Sequence, residues 1–202
     1  MWRGPVYLDT LHLSMTHFRL RFPLDEIPRL AAEYRYLRRG IDPVEIGAAA
    51  KSQGYLNLQQ FVDLAEWKSP RPAKHHATND AATVEAVTRF AFATPVESLR
   101  LSALTLLKGV QLRTASAILH LCHRDPYPMM DVRAFWSLGI DEEPRDWAAV
   151  WPEYTDICRS IAAEAKTDLR TLDKALWEFS NRNGKVAMPA TKRALGVKKE
   201  SP

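Results

Sequence analysis

Apolar residues along this chain recur at three- and four-residue steps in one segment after another, the spacing of helices with one face turned to a core. Residues 1–24 mix Tyr7, Leu8, Leu11, Leu13, Met15, Phe18, Leu20 and Phe22 with basic residues in no clean period, so helix is favoured there and a short strand stays open. From Asp25 to Arg39 the positions Ile27, Leu30, Ala31, Tyr34 and Leu37 predict a helix. Arg35, Arg38 and Arg39 gather at its C-terminal end, where the dipole favours cations, and Gly40 is the expected stop. Those arginines read either as a solvated helix end or as a DNA contact. Asp42-Pro43 predicts an N-cap and first-turn proline opening a helix to about Gln53, closed by Gly54. Asn57 to Trp67 is the next, stopping at Ser69-Pro70-Arg71-Pro72 because residues before proline are pushed out of the α region. Asn79 or Asp80 then caps a helix that buries Val84, Val87 and Ala91, with Phe90 alongside.

The centre of the chain carries two closely spaced periodic segments. Val96, Leu99, Ala103, Leu104 and Leu107 mark the first, and Ala115, Ile118, Leu119 and Cys122 the second. The short connection between them holds Gly109, so residues 96–123 predict a helical hairpin. After the turn Asp125-Pro126-Tyr127-Pro128, a helix is expected from Val132 to about Leu138, with Asp131 at its start. A long stripe follows (Trp147, Val150, Trp151, Tyr154, Ile157, Cys158, Ile161), kinked or restarted at Pro152. Leu169, Leu172, Leu176 and Phe179 form the last helix, ending by Asn183-Gly184. The aromatic stripes read as core.

The expected architecture is therefore all-α: a single helical unit over residues 1–184 built of two packed lobes. One lobe is 41–130 with the hairpin, the other 1–40 with 131–184, and 185–202 is a basic, disordered tail. A chain of 202 residues that is 46% apolar and 26% charged can bury such a core. No run approaches the roughly 18 apolar residues a bilayer span needs, and the start does not read as a signal peptide. Two cysteines, Cys122 and Cys158, make neither a disulfide framework nor a metal quartet. The expectation is a cytoplasmic monomer with no membrane partner and no metal.

Charge refines this. The net +4 resides in residues 185–202, which hold five basic side chains and one acidic, while the remaining body has 23 of each sign. The high isoelectric point is thus a property of the tail. Within the body, residues 51–130 carry nine Lys/Arg against six Asp/Glu, and residues 131–184 seven against eleven. The half with the hairpin is the basic half. Asp141, Glu142 and Glu143 read as a solvated acidic loop.

Two stretches carry candidate chemistry. The first is Leu107-Lys108-Gly109-Val110-Gln111-Leu112-Arg113-Thr114-Ala115-Ser116, where the second hairpin helix begins. N–H groups at a helix start lack intrahelical partners and lie at the positive end of the dipole, an arrangement suited to phosphate. Gly109, Gln111, Arg113 and Thr114 are the candidate phosphate contacts. The second is Lys68 to His76, with Lys68, Arg71 and Lys74, two imidazoles and a stiff Pro-x-Pro spine rooted at Trp67. It reads either as a proline-stiffened linker or as a DNA-facing loop. His75-His76 has no third ligand at matching spacing.

The hairpin resembles the helix-hairpin-helix element of the DNA glycosylase superfamily, endonuclease III type, whose pattern is Leu-Pro-Gly-Val-Gly-x-Lys-Thr-Ala followed some eighteen residues on by an Asp. Leu107-Lys108-Gly109-Val110 and Thr114-Ala115 match, and Asp131 stands eighteen residues after Arg113. The resemblance implies a helical glycosylase-like fold, duplex DNA as partner, a nucleoid-associated location, and a monovalent cation as a possible occupant of the hairpin. It implies that Asp131 assists glycosidic bond hydrolysis as general base or as stabiliser of an oxocarbenium-like transition state, after the base has left the stack.

The departures have consequences. Gln111 replaces the second hairpin glycine and would be strained if that position needs a positive φ. Arg113 replaces the lysine of lyase members, and a guanidinium forms no Schiff base, so the implied activity is a monofunctional N-glycosylase. The four-cysteine iron–sulfur loop is absent. The stretch between Lys68 and Arg113 is short for a full-length member. Arg133, two residues from Asp131, is placed to hold that carboxylate in an ion pair, which would leave Asp131 a helix cap only. The alternative function is a non-catalytic helix-hairpin-helix module that binds DNA or recruits a partner; a helical protein-interaction scaffold is a third reading.

Overall fold

The computed structural model describes residues 18–35, 41–141, 144 and 146–184, and every regular element among them is helical. A 3-10 turn, Leu24–Glu26, leads into α1 (Ile27–Glu33). Then come α2 (Pro43–Gln53), α3 (Leu58–Lys68), the single turn α4 (Ala73–His76) and α5 (Ala81–Ala93). The hairpin is α6 (Glu97–Leu104) and α7 (Leu112–Cys122), followed by α8 (Val132–Ser137), α9 (Trp147–Glu164) and α10 (Leu169–Asn183). The expectations for residues 1–17, for Arg38, Arg39 and Gly40, for Glu142 and Glu143, and for the tail from 185 fall outside the described residues.

Most helix starts are fixed by side chains read directly from the sequence. Asp42, Asp80, Asp131, Asp146 and Asp168 each accept from first-turn backbone N–H groups. Asn57 and Gln60 form a reciprocal capping box. Each cap contributes about 1 kcal/mol and fixes where its helix enters the core.

Helix α7 is the axis of the molecule, buried on every side from Thr114 to Cys122, with α2, α3 and α6 against it. Its buried polar side chains Thr114, Ser116 and His120 each make a hydrogen bond there, to Ser69 Oγ, the Arg113 carbonyl and the Tyr127 carbonyl. Gly47 makes the closest approach possible, since a Cβ there would run into the Leu121 carbonyl. Helix α5 packs on α6 and α3, while α10 gathers α1, α8 and α9. Segment 123–131 ties the groups together: Met130 N–H donates to Ser116 Oγ (2.9 Å), and Tyr154 Oη donates to the Met129 carbonyl (2.8 Å).

Three local expectations are corrected. Helix α1 stops at Glu33 rather than Arg39: Tyr34 turns extended (ψ 125°), its ring meets Trp177 edge-on at 5.2 Å, and the Arg35 guanidinium folds back on the Ala32 carbonyl. Helix α6 turns a different face inward. Val96 and Leu99 are 46% and 47% exposed, while Arg100, Leu101 and Leu104 are buried. The cause is Arg100, whose guanidinium is bonded to the Thr94 carbonyl and the His123 ring. Helix α9 runs through Pro152 without a restart, because Pro152 and the Ala148 carbonyl it leaves unpaired both lie on the exposed side.

Candidate functional site

The hairpin turn is built around Gly109, whose φ of +84° is the left-handed conformation that glycine takes without cost. Gln111 is extended (φ −111°, ψ 171°) and stands as the N-cap of α7, so the strain expected of it does not arise. The segment after α4 clamps this turn. Asn79 accepts from Lys108 N–H (2.8 Å) and donates to the Lys108 carbonyl (3.1 Å), and the fully buried His76 ring lies 3.2 Å from the Gly109 carbonyl through Nε2. The stretch expected to be linker or loop is thus partly a structural wedge, with Pro70, Arg71, Lys74 and His75 exposed.

At the start of α7, Thr114 N–H and Ala115 N–H both bond to the Gln111 carbonyl (2.8 and 2.9 Å). Gln111 is exposed, Leu112 and Arg113 are half-buried, and among the described residues no side chain caps the helix. The Arg113 guanidinium lies 5.4 Å from the centre of the Trp147 ring. Thr114 is buried, and its hydroxyl bonds to Ser69 Oγ at 3.2 Å, so this candidate phosphate contact serves to attach the end of α3 to the hairpin.

That attachment brings Lys68 to Asp131. The Lys68 ammonium sits 2.9 Å from Asp131 Oδ2, with one-tenth of the lysine side chain and one-quarter of the aspartate side chain exposed. The other oxygen, Oδ1, accepts from Arg133 N–H at 3.0 Å as the cap of α8. Burial opposes ionisation of this carboxyl, but the Lys68 ammonium and the Arg133 N–H outweigh it and hold the pKa below the usual aspartate value. The ion pair anticipated with Arg133 is made by Lys68 instead, and the Arg133 guanidinium lies over Trp177 (5.1 Å).

Near this pair lie further buried polar groups that the sequence did not reveal. His120 Nδ1 is 2.7 Å from the Tyr127 carbonyl, and its Nε2 is buried with no hydrogen-bond partner. Burial pushes the His120 pKa down, with Asp173 countering and Arg170 and Lys68 reinforcing. Arg170 pairs with Asp173 at 2.9 Å and lies between Trp67 (5.8 Å) and Tyr34 (5.9 Å). Burial also raises Tyr154 well above an ordinary tyrosine, reinforced by Cys158, Asp173 and Asp131. Charged groups of α3, the α8 N-cap and α10 therefore lie near one another, with the Arg133 and Arg170 guanidiniums against the rings of Trp177, Tyr34 and Trp67. Asp131 was legible from its place before a helix. Lys68, 63 residues away, was legible only as a basic residue, and no local signal pairs them.

No group of three or more His, Cys, Asp or Glu among the described residues is placed to hold a metal ion. No described helix is long and apolar enough to cross a membrane. No family model, curated protein or solved structure matches the chain.

Proposed function

We propose that this chain is a duplex-DNA-binding N-glycosylase of the base-excision type. The observation that carries the reading is the placement of Asp131. It is an ionised, quarter-exposed carboxylate whose neighbour Met130 is hydrogen-bonded into the first turns of α7. The exposed hairpin corner at Gln111, at the start of α7, binds a backbone phosphate, and the exposed side chains of Arg71 and Lys74 add positive charge to the surface. Holding the strand there brings an extruded nucleotide's sugar to Asp131. The carboxylate then stabilises positive charge at the anomeric carbon or takes a proton from the attacking water. Arg113 supplies charge and no nucleophile. Base release from a panel of damaged and mismatched duplexes tests the reading. Asp131→Asn should keep duplex binding and lower release by about 100-fold or more, the contribution typical of a positioned general base. Equal release by wild type and variant, or none from any duplex, overturns it.

A second reading draws on the Lys68 ammonium, which covers one Asp131 oxygen. On that reading the fold binds DNA or recruits a partner without chemistry. Salt-dependent duplex binding, unchanged in Asp131→Asn and yielding no product, would select it.

A further inference from the structure

We infer that Ser116 is a positioning residue for Asp131: together with Thr114 it fixes the Lys68–Asp131 pair to the opening turns of α7, so that the helix begun at the hairpin corner sets where the carboxylate stands. The inference rests on the glycosylase reading above and deepens it. Two buried hydroxyls leave those turns in different directions. Thr114 Oγ1 is bonded to Ser69 Oγ (3.2 Å), one residue from Lys68. Ser116 Oγ accepts from Met130 N–H (2.9 Å), one residue from Asp131. The same stretch of α7 is thus bonded beside both members of an ion pair whose residues lie 63 positions apart in the chain.

The Ser116 hydroxyl is fully committed. Its proton goes to the Arg113 carbonyl (2.9 Å), and the side chain is completely buried, with its oxygen accepting from Met130. The peptide that carries this N–H is held at its other end too, where the Met129 carbonyl accepts from Tyr154 Oη at 2.8 Å. A peptide unit is planar, so bonds to both its N–H and its C=O fix its orientation. Asp131 follows directly in an extended conformation (φ −149°, ψ 137°), with Oδ1 on the Arg133 N–H and Oδ2 on the Lys68 ammonium. Capping alone fixes the carboxylate relative to α8; the Ser116 bond fixes it relative to α7, where the strand is to be held. Removal of that hydroxyl leaves a buried N–H without an acceptor, and the peptide turns to find one. The carboxylate moves with it. Near a reacting centre a misplacement of about 1 Å costs on the order of 100-fold in rate.

The test uses the full chain with Ser116→Ala, and with Val84→Ala, a buried truncation in α5, as the control for lost stability. Single-turnover base release is measured beside duplex affinity, and the titration of the Asp131 carboxyl is followed by carbon NMR. Ser116→Ala should slow release by about 10- to 100-fold at unchanged duplex affinity. It should also raise the Asp131 titration, as the carboxylate leaves the Lys68 ammonium and the Arg133 N–H. Val84→Ala should move neither. If Ser116→Ala fails to fold, Tyr154→Phe takes its place with the same expectations, because it frees the same peptide at its carbonyl end. Undiminished release in the folded variant of an active wild type overturns the assignment and leaves the glycosylase reading standing. Equal changes in Val84→Ala reduce the effect to lost stability and overturn it as well. If the wild type releases no base from any duplex, the glycosylase reading falls and the titration alone decides this one: raised in Ser116→Ala it stands, unmoved it is overturned.

Discussion

At the residue scale, the candidate site turns on contacts that span long stretches of chain. Lys68 meets Asp131, Ser69 meets Thr114, and Asn79 and His76 clamp Lys108 and Gly109. Gly109 shows how tightly this clamp is drawn: its φ is +84°, and a Cβ there would lie 2.6 Å from His76 Cδ2. Gly109→Ala should therefore cost on the order of 2–3 kcal/mol, combining the left-handed penalty with displacement of a buried ring. Urea unfolding would show it as a lower midpoint at unchanged slope, and an unmoved midpoint would mean the turn relaxes freely. What the sequence showed at this scale was one end of each contact. Asp131 before a helix and Gly109 in a tight turn follow from local chemistry. Their partners follow only from packing.

At the scale of elements, boundaries set by caps were legible and boundaries set by tertiary contact were not. Helix α2 runs from Pro43 to Gln53, as Asp42 and Gly54 dictate, because the capping atoms lie within a few residues of the groups they satisfy. Helix α1 ends early because the Tyr34 ring docks on Trp177 of α10, a partner 143 positions on. The inward face of α6 was misread for a similar reason. Apolar spacing counted Val96 and Leu99 as core and passed over Arg100, whose burial is made tolerable by bonds to Thr94 and His123. The corrected face gives a sharp contrast. Leu104→Ala should cost about 2–5 kcal/mol as a buried truncation, whereas Leu99→Ala should stay within about 0.5 kcal/mol. Comparable losses in the two variants would return α6 to the orientation read from the sequence.

At the scale of the whole molecule, the same burial that assembles the site makes stability depend on pH in two separate windows. His76, His120 and His123 lie around α7, at 0%, 9% and 5% exposure, and burial is the largest cause lowering each pKa. The unfolded chain takes up their protons as pH drops through about 6.5, while the folded chain stays neutral until its lower values are reached. Unfolded molecules therefore bind more protons in that interval. Stability falls on acidification, by up to about 1.4 kcal/mol per pH unit for each histidine. Asp131 is depressed rather than raised, so its contribution is complete above the unfolded aspartate value near 4 and is lost only as pH falls through its folded pKa. Histidine-driven loss should thus come first, from pH 7 toward 5, and carboxylate-driven loss below about 4. Urea unfolding at stepped pH separates them. His120→Gln should make the upper window shallower and leave the lower one, and Lys68→Met, by removing the cation that lowers Asp131, should make the lower window shallower. A stability profile level from pH 7 to 5 would mean the three imidazoles open to solvent together with the hairpin clamp, and the tight seat of Gly109 against His76 would go with them.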